Sequence, residues 1–206
     1  HDIEYLPNGN ILILAWERFS KEEAIANGRI PTTVSATIWA TQIIEIAPTG
    51  ETGGNIVWEW SAWDHLVQDQ DSSLSNYAQI AASPERININ HAEEGGGGGF
   101  ADWIHANSID YNPELDQILL SARKFHEIWI IDHSTTTETA ASSEGGRYDK
   151  GGDLLYRWGN PAVYGRGTVE NRQLFWQHDA TWIPEDYPNA GDIMLFNNFC
   201  KTGAFR

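Results

Sequence analysis

Three stretches decide how this chain is read. They are His1-Asp2-Ile3-Glu4-Tyr5-Leu6-Pro7-Asn8-Gly9-Asn10-Ile11-Leu12-Ile13-Leu14; His105-Ala106-Asn107-Ser108-Ile109-Asp110-Tyr111-Asn112-Pro113, followed by Asp116-Gln117-Ile118-Leu119-Leu120-Ser121; and His178-Asp179-Ala180-Thr181-Trp182-Ile183-Pro184, followed by Gly191-Asp192-Ile193-Met194-Leu195-Phe196. Each is a histidine heading a short strand, then a turn of Pro, Asn, Gly or Asp, then an apolar strand. The partner strands repeat as well: Thr41-Gln42-Ile43-Ile44-Glu45-Ile46 parallels His126-Glu127-Ile128-Trp129-Ile130-Ile131-Asp132. Gly53-Gly54-Asn55-Ile56-Val57-Trp58-Glu59-Trp60 likewise matches Gly151-Gly152-Asp153-Leu154-Leu155-Tyr156-Arg157-Trp158. Four short antiparallel strands per unit, the last closed by Trp, is how a β-propeller blade reads. A sandwich or a meander does not require a histidine to recur in each unit. A propeller does place equivalent positions of its inner strands around one central channel.

The reading is therefore all-β, a propeller in an incomplete arc of about two and a half four-stranded blades. Residues 1–206 form part of one domain, with a blade at 1–61, an insertion at 62–102, a second blade at 103–160 and a partial blade at 176–206. His105 follows His1 by 104 residues and His178 follows His105 by 73, whereas a blade needs roughly 40–50, so both intervals carry insertions. Residues 18–30 read as a polar, helix-compatible excursion and 66–82 as room for a short helix. The Gly95 to Gly99 run reads as a linker, and 134–150 as a Ser, Thr and Gly-rich surface loop. Two and a half blades cannot close a ring, so the expectation is a piece of a longer chain with blades missing on both sides.

Composition narrows the function. Hydrophobic residues at 41% support a core, and 29 acidic against 13 basic side chains give a net charge of −16, which repels nucleic acid phosphates and anionic lipid heads. No apolar run approaches the roughly 18 residues of a membrane span. Neither nucleic acid nor membrane is expected as a partner, and the oligomeric state is not legible. The single cysteine, Cys200, cannot form an internal disulfide and reads as buried or incidental.

The residues with chemistry to offer are the repeat-heading His1, His105 and His178. Imidazole is a nucleophile, an acid or base near neutral pH, or a metal ligand; equally, each ring can cap a neighbouring carbonyl at a turn. Arg123, ending the strand Ile118-Leu119-Leu120-Ser121-Ala122, can clamp an oxyanion through paired N–H donors or answer one of the many carboxylates. Asn107 alternates back to the face of His105 and can donate to a substrate oxygen or close a strand-start hydrogen bond. Trp103 and Trp182 pave a pocket beside these histidines or belong to the core, and Trp16, Trp39, Trp58, Trp60, Trp129 and Trp158 read as core. His65, His91, His126 and His133 do not recur between units and read as surface or loop residues.

The segments at His1 to Asn10, Asp102-Trp103-Ile104-His105-Ala106-Asn107-Ser108, Leu120-Ser121-Ala122-Arg123 and Gln177-His178-Asp179-Ala180 resemble the bacterial arylsulfate sulfotransferases. The resemblance implies a six-bladed propeller exported to the periplasm or secreted. It implies transfer of a sulfuryl group from an aryl sulfate donor to a phenolic acceptor, with no phosphoadenosine sulfate, no other cofactor and no metal. By the same resemblance His178 is the nucleophile that becomes sulfated, His105, Asn107 and Arg123 bind the sulfate, and His1 is a further pocket histidine. Lys124 stands after Arg123 where the family often has His. Neither the accessory N-terminal β-domain nor the disulfide of some members has a counterpart here.

Read without the resemblance, three axial histidines also suit a divalent metal in a lyase or hydrolase, which chelation would reveal. A noncatalytic binding propeller is the other alternative, and its ligand binding would survive replacement of His178. Copper held by the amine and ring of His1 is disfavoured, because that histidine heads a repeat found twice more inside the chain.

Overall fold

The computed structural model describes residues 2–91 and 101–199, and among these the fold is all-β with only very short helices. Strands β1 (Ile3–Tyr5), β2 (Ile11–Ser20), β3 (Thr37–Thr49) and β4 (Gly53–Ser61) form an antiparallel sheet in chain order. Between β2 and β3 lies helix α1 (Lys21–Ala26), started by a capping box in which Ser20 and Glu23 bond each other's backbone N–H. After a minimal parallel pair, β5 (Leu66–Val67) and β6 (Ile87–Asn88), come β7 (Ala106–Asn112), β8 (Gln117–Ala122) and β9 (Glu127–Asp132). The one-turn helix α2 (Thr137–Ala140) follows, and β10 (Tyr156–Trp158) completes a second four-stranded antiparallel sheet. β11 (His178–Trp182) and β12 (Ile193–Phe196) form a hairpin. Two full blades and half of a third make an open propeller arc, with insertions between them.

The inner strands β1, β7 and β11 lie side by side, joined by side chains that bond across to backbone. Asp2 accepts the Ile109 N–H at 3.0 Å, and Ser108 accepts the Ala180 N–H at 2.9 Å. These two bonds are the same lateral step taken twice, so they set Asp2, Ser108 and Asp179 in register. The proline in each copy agrees: Pro7, Pro113 and Pro184 each stand five residues further on. The residue ahead of each register position is then His1, Asn107 and His178. His105 is two residues early, so the histidines are not equivalent as the sequence reading had them. Matching residue type gave the wrong register because the structural constant is an acceptor side chain reaching the next strand.

Trp58, Trp60 and Trp129 are core, with Trp60 Nε1 donating to the Gly152 carbonyl at 2.8 Å to tie the first sheet to the segment that leads into β10. Trp16 and Trp158, expected in the core, are 43% and 42% exposed. Trp60 and Trp158 close corresponding strands, but Trp60 is covered by the stacked His65 ring, centroids 5.6 Å apart, and by the Gly152 segment. Of the four histidines read as surface or loop residues, His91, His126 and His133 do lie outside helices and strands, but His65 and His126 are buried and His133 is held between the sheets. His65 is fully buried between Asp153 (2.7 Å) and the Ala140 carbonyl (2.8 Å), and His133 bridges Asp116 (2.8 Å) and Glu45 (2.9 Å) across the two sheets. The short helix expected within 66–82 is absent apart from a 3-10 turn at Ile80–Ala82. There the Gln68 side-chain oxygen takes the N–H groups of Gln70 and Asp71, a local turn that competes with helix.

Candidate active site

The β7–β8 end of the second blade carries three of the expected residues. Asp102 grips His105 twice, accepting its backbone N–H at 3.1 Å and bonding the imidazole Nδ1. A carboxylate at Nδ1 holds the proton on that nitrogen and so fixes which way the ring faces. His105 sits in the left-handed region at φ 53°, and its carbonyl accepts the Arg123 N–H at 3.3 Å. Arg123 opens the 3-10 turn Arg123–Phe125 directly after β8, so the guanidinium stem and the Asp102–His105 pair start from the same end of one hairpin. Lys124 turns back, its ammonium bonding the Asp102 carbonyl.

His178 begins β11, the inner strand of the next blade, and the residue before it is bolted to the second blade. Asn107 Nδ2 donates to the Gln177 carbonyl at 2.9 Å. The buried Gln177 amide donates to the Glu127 carbonyl at 2.7 Å and to Ser121 Oγ at 3.3 Å. His178 Nδ1 lies 2.9 Å from the Trp176 carbonyl, which also accepts from Asn198 Nδ2 at 2.6 Å. Asn198 Nδ2 also lies 3.2 Å from His178 Nδ1; with a hydrogen of that amide spent on the Trp176 carbonyl, and the carbonyl the nearer partner of Nδ1, we assign the ring hydrogen to Nδ1 and the lone pair to Nε2. The backbone around this ring is unusual: Trp176 at φ 53° and Asp179 at φ 56° are both left-handed non-glycine residues. Such strain persists only where surrounding bonds over-determine it.

His105, Asn107, Arg123 and His178 are therefore brought to neighbouring strand ends. One hydrogen of the Asn107 amide is committed to Gln177. Trp103 is 6% exposed and lies in the core, its indole N–H on the His91 carbonyl at 2.9 Å, so it does not pave a pocket. Trp182 is partly buried, packed on the cluster of Leu119, Ile128, Leu174 and Ala180, with its N–H on Asp110 at 2.6 Å. His1, Cys200 and the Gly95 to Gly99 run lie outside the described residues. Among the described residues no group of three or more His, Cys, Asp or Glu is placed to hold a metal ion, and no helix is long and apolar enough to cross a membrane.

Sequence reasoning gave no role to four residues that shape the site. Asp102 and Gln177 stand within the quoted segments, at three residues and one residue from a key histidine, a spacing that was itself a signal. Trp176 and His126 left none. His126, 2% exposed and left-handed at φ 58°, accepts the Trp176 N–H at Nδ1 across 3.1 Å. Burial, and then the nearby Arg172, His91 and Arg123, push its pKa down to about 3. His126 also lines a cavity of 190 Å³ with His91, Asn160 and Arg172.

A profile described as Arylsulfotransferase (ASST) matches residues 1–203. No curated protein matches the chain. Among solved structures, Kuenenia stuttgartiensis hydrazine synthase is similar at 10% identity and a TM-score of 0.35, over 97% of this chain and 45% of that one. The chain thus spans less than half the length of that structure. With the profile running through both full blades and the hairpin, the chain belongs to the arylsulfotransferase family.

Proposed function

We propose that this chain carries the histidine site of a sulfotransferase that moves a sulfuryl group from an aryl sulfate to a phenol, in two steps, without phosphoadenosine sulfate. The observation that carries the reading is the 2.9 Å approach of His178 Nδ1 to the Trp176 carbonyl, which favours the tautomer with hydrogen on Nδ1 and the lone pair on Nε2. In the first step Nε2 attacks sulfur, the S–N bond forms and the S–O(aryl) bond breaks. The sulfuryl group sits on an imidazolium whose Nδ1–H stays on the carbonyl, and the phenolate leaves with a proton from protonated His105. In the second step neutral His105 takes the proton of the acceptor phenol, whose oxygen attacks sulfur and releases His178. Charge in such a loose transition state spreads over three oxygens, so positioned donors dominate catalysis. Arg123 and Asn107 are the donors assigned to those oxygens, and His1 is a further candidate for the pocket. The same family logic proposes export to the periplasm or beyond, checked by cell fractionation.

The test is incubation of the protein with an aryl sulfate, with and without an acceptor phenol. Sustained phenol release is expected only with acceptor present, and acid-free quenching followed by peptide mass spectrometry is expected to find one sulfate on His178. Equal turnover without acceptor, or no modified histidine in a competent enzyme, overturns the reading.

A further inference from the structure

The residues that support His178 extend one layer deeper than the family resemblance assigns. Trp176 is bulky and left-handed at φ 53°, a conformation that an L-residue with a Cβ disfavours. Its two backbone polar groups point at two different histidines. The N–H donates to Nδ1 of buried His126 at 3.1 Å, and the carbonyl accepts from Nδ1 of His178 at 2.9 Å. The His126 and Trp176 rings meet edge to face, centroids 5.4 Å apart. His126 is itself left-handed, as the residue that ends the 3-10 turn opened by Arg123, its N–H bonded to the Arg123 carbonyl at 3.1 Å.

We propose that His126 is a positioning residue for the nucleophile: by accepting the Trp176 N–H it holds the strained turn whose carbonyl fixes the His178 tautomer with Nε2 free. The proposal deepens, and its catalytic consequence rests on, the reading of His178 as nucleophile. His126 touches no reacting atom. Its acceptor must be an unprotonated Nδ1, which requires the ring to stay neutral, and the burial and neighbouring cations that keep its pKa near 3 supply that condition. The arrangement also ties the oxyanion donor to the nucleophile. The turn that begins at Arg123 ends at His126, so the same three-residue turn that starts the guanidinium stem anchors the segment before His178.

The test compares His126→Leu, which removes the acceptor, with His126→Asn, whose side-chain oxygen stands near the place of Nδ1 and whose backbone tolerates the left-handed region. Nitrogen NMR of the histidine-labelled protein reads both tautomers directly. In the unmodified protein His126 is expected as the Nε2–H form and His178 as the Nδ1–H form. In His126→Leu the His178 signals should move to a mixture of tautomers, and kcat should fall about tenfold or more with KM little changed. His126→Asn should restore both. A purely structural role would lower thermal stability without moving the His178 tautomer, and that result overturns the proposal. So does the opposite tautomer at either histidine in the unmodified protein, which needs no variant. Failure to find sulfate on His178 would instead sink the functional reading and leave the tautomer result standing.

Discussion

Glu127 and Arg157 offer the sharpest test of how the second blade is held. Glu127, on β9, is fully buried and Arg157, on β10, nearly so. The guanidinium reaches Glu127 Oε2 through two nitrogens, at 3.1 and 2.5 Å. Trp129 Nε1 donates to the same carboxylate at 2.7 Å. Arg157 continues to the carbonyls of Pro84 (3.1 Å) and Arg86 (2.9 Å), so the pair also fastens the inserted segment to the blade. On a surface such a pair is worth at most about 1 kcal/mol. Here both ions are out of water, and Glu127→Gln leaves a buried guanidinium without its counter-charge, so the expected loss is on the order of 3–5 kcal/mol. The double replacement Glu127→Leu with Arg157→Met removes both charges and should recover most of that loss, to within roughly 1–2 kcal/mol of the parent. Urea unfolding followed by Trp fluorescence measures all three, with an unchanged m-value as the check on comparability. A cost below about 1 kcal/mol for Glu127→Gln, or a double variant no better than the single, would refute the claim that burial makes this pair obligatory.

Acid should loosen the fold through its buried imidazoles. His126, with its pKa near 3, and His91, held to about 4 chiefly by burial, stay neutral when folded but bind a proton readily when unfolded. Their contribution is therefore intact above about pH 6.5 and lost as pH falls toward 3, which thermal melts across that window should follow. Glu4 runs the other way. Burial first, then Asp110 and Asp2, raise it to about 6, so ionising it costs stability as pH rises through 6, and Glu4→Gln should raise Tm at pH 8 and not at pH 4. Because Glu4 is only partly buried, solvent screens the effect and the gain should stay below about 1 kcal/mol. Gly152→Ala would set a Cβ 2.0 Å from the Ala140 carbonyl oxygen and 2.8 Å from His65 Nε2. Denaturant melts should show a loss of about 2–3 kcal/mol or more, since the backbone there has little room to yield; a neutral result would mean that the His65 contact is not tight.

The sequence by itself determined the architecture. Period-two apolar strands between Gly, Asn, Asp and Pro turns can bury one face only by pairing with their neighbours, and their repetition makes blades. It also placed His105, Asn107, Arg123 and His178 in strand-end positions, because those segments recur in a recognisable family pattern. It could not decide the lateral register. That depends on Asp2 and Ser108 reaching the next inner strand, and a bond between residues 107 or 72 positions apart leaves no local period. For the same reason His65, His126 and His133 looked like loop residues. A histidine's burial is set by what other segments lay over it, and each of these three rings is held by a group many residues distant. Which nitrogen of His178 is free was likewise decided only by folding, when the left-handed turn at Trp176 aimed a carbonyl at Nδ1.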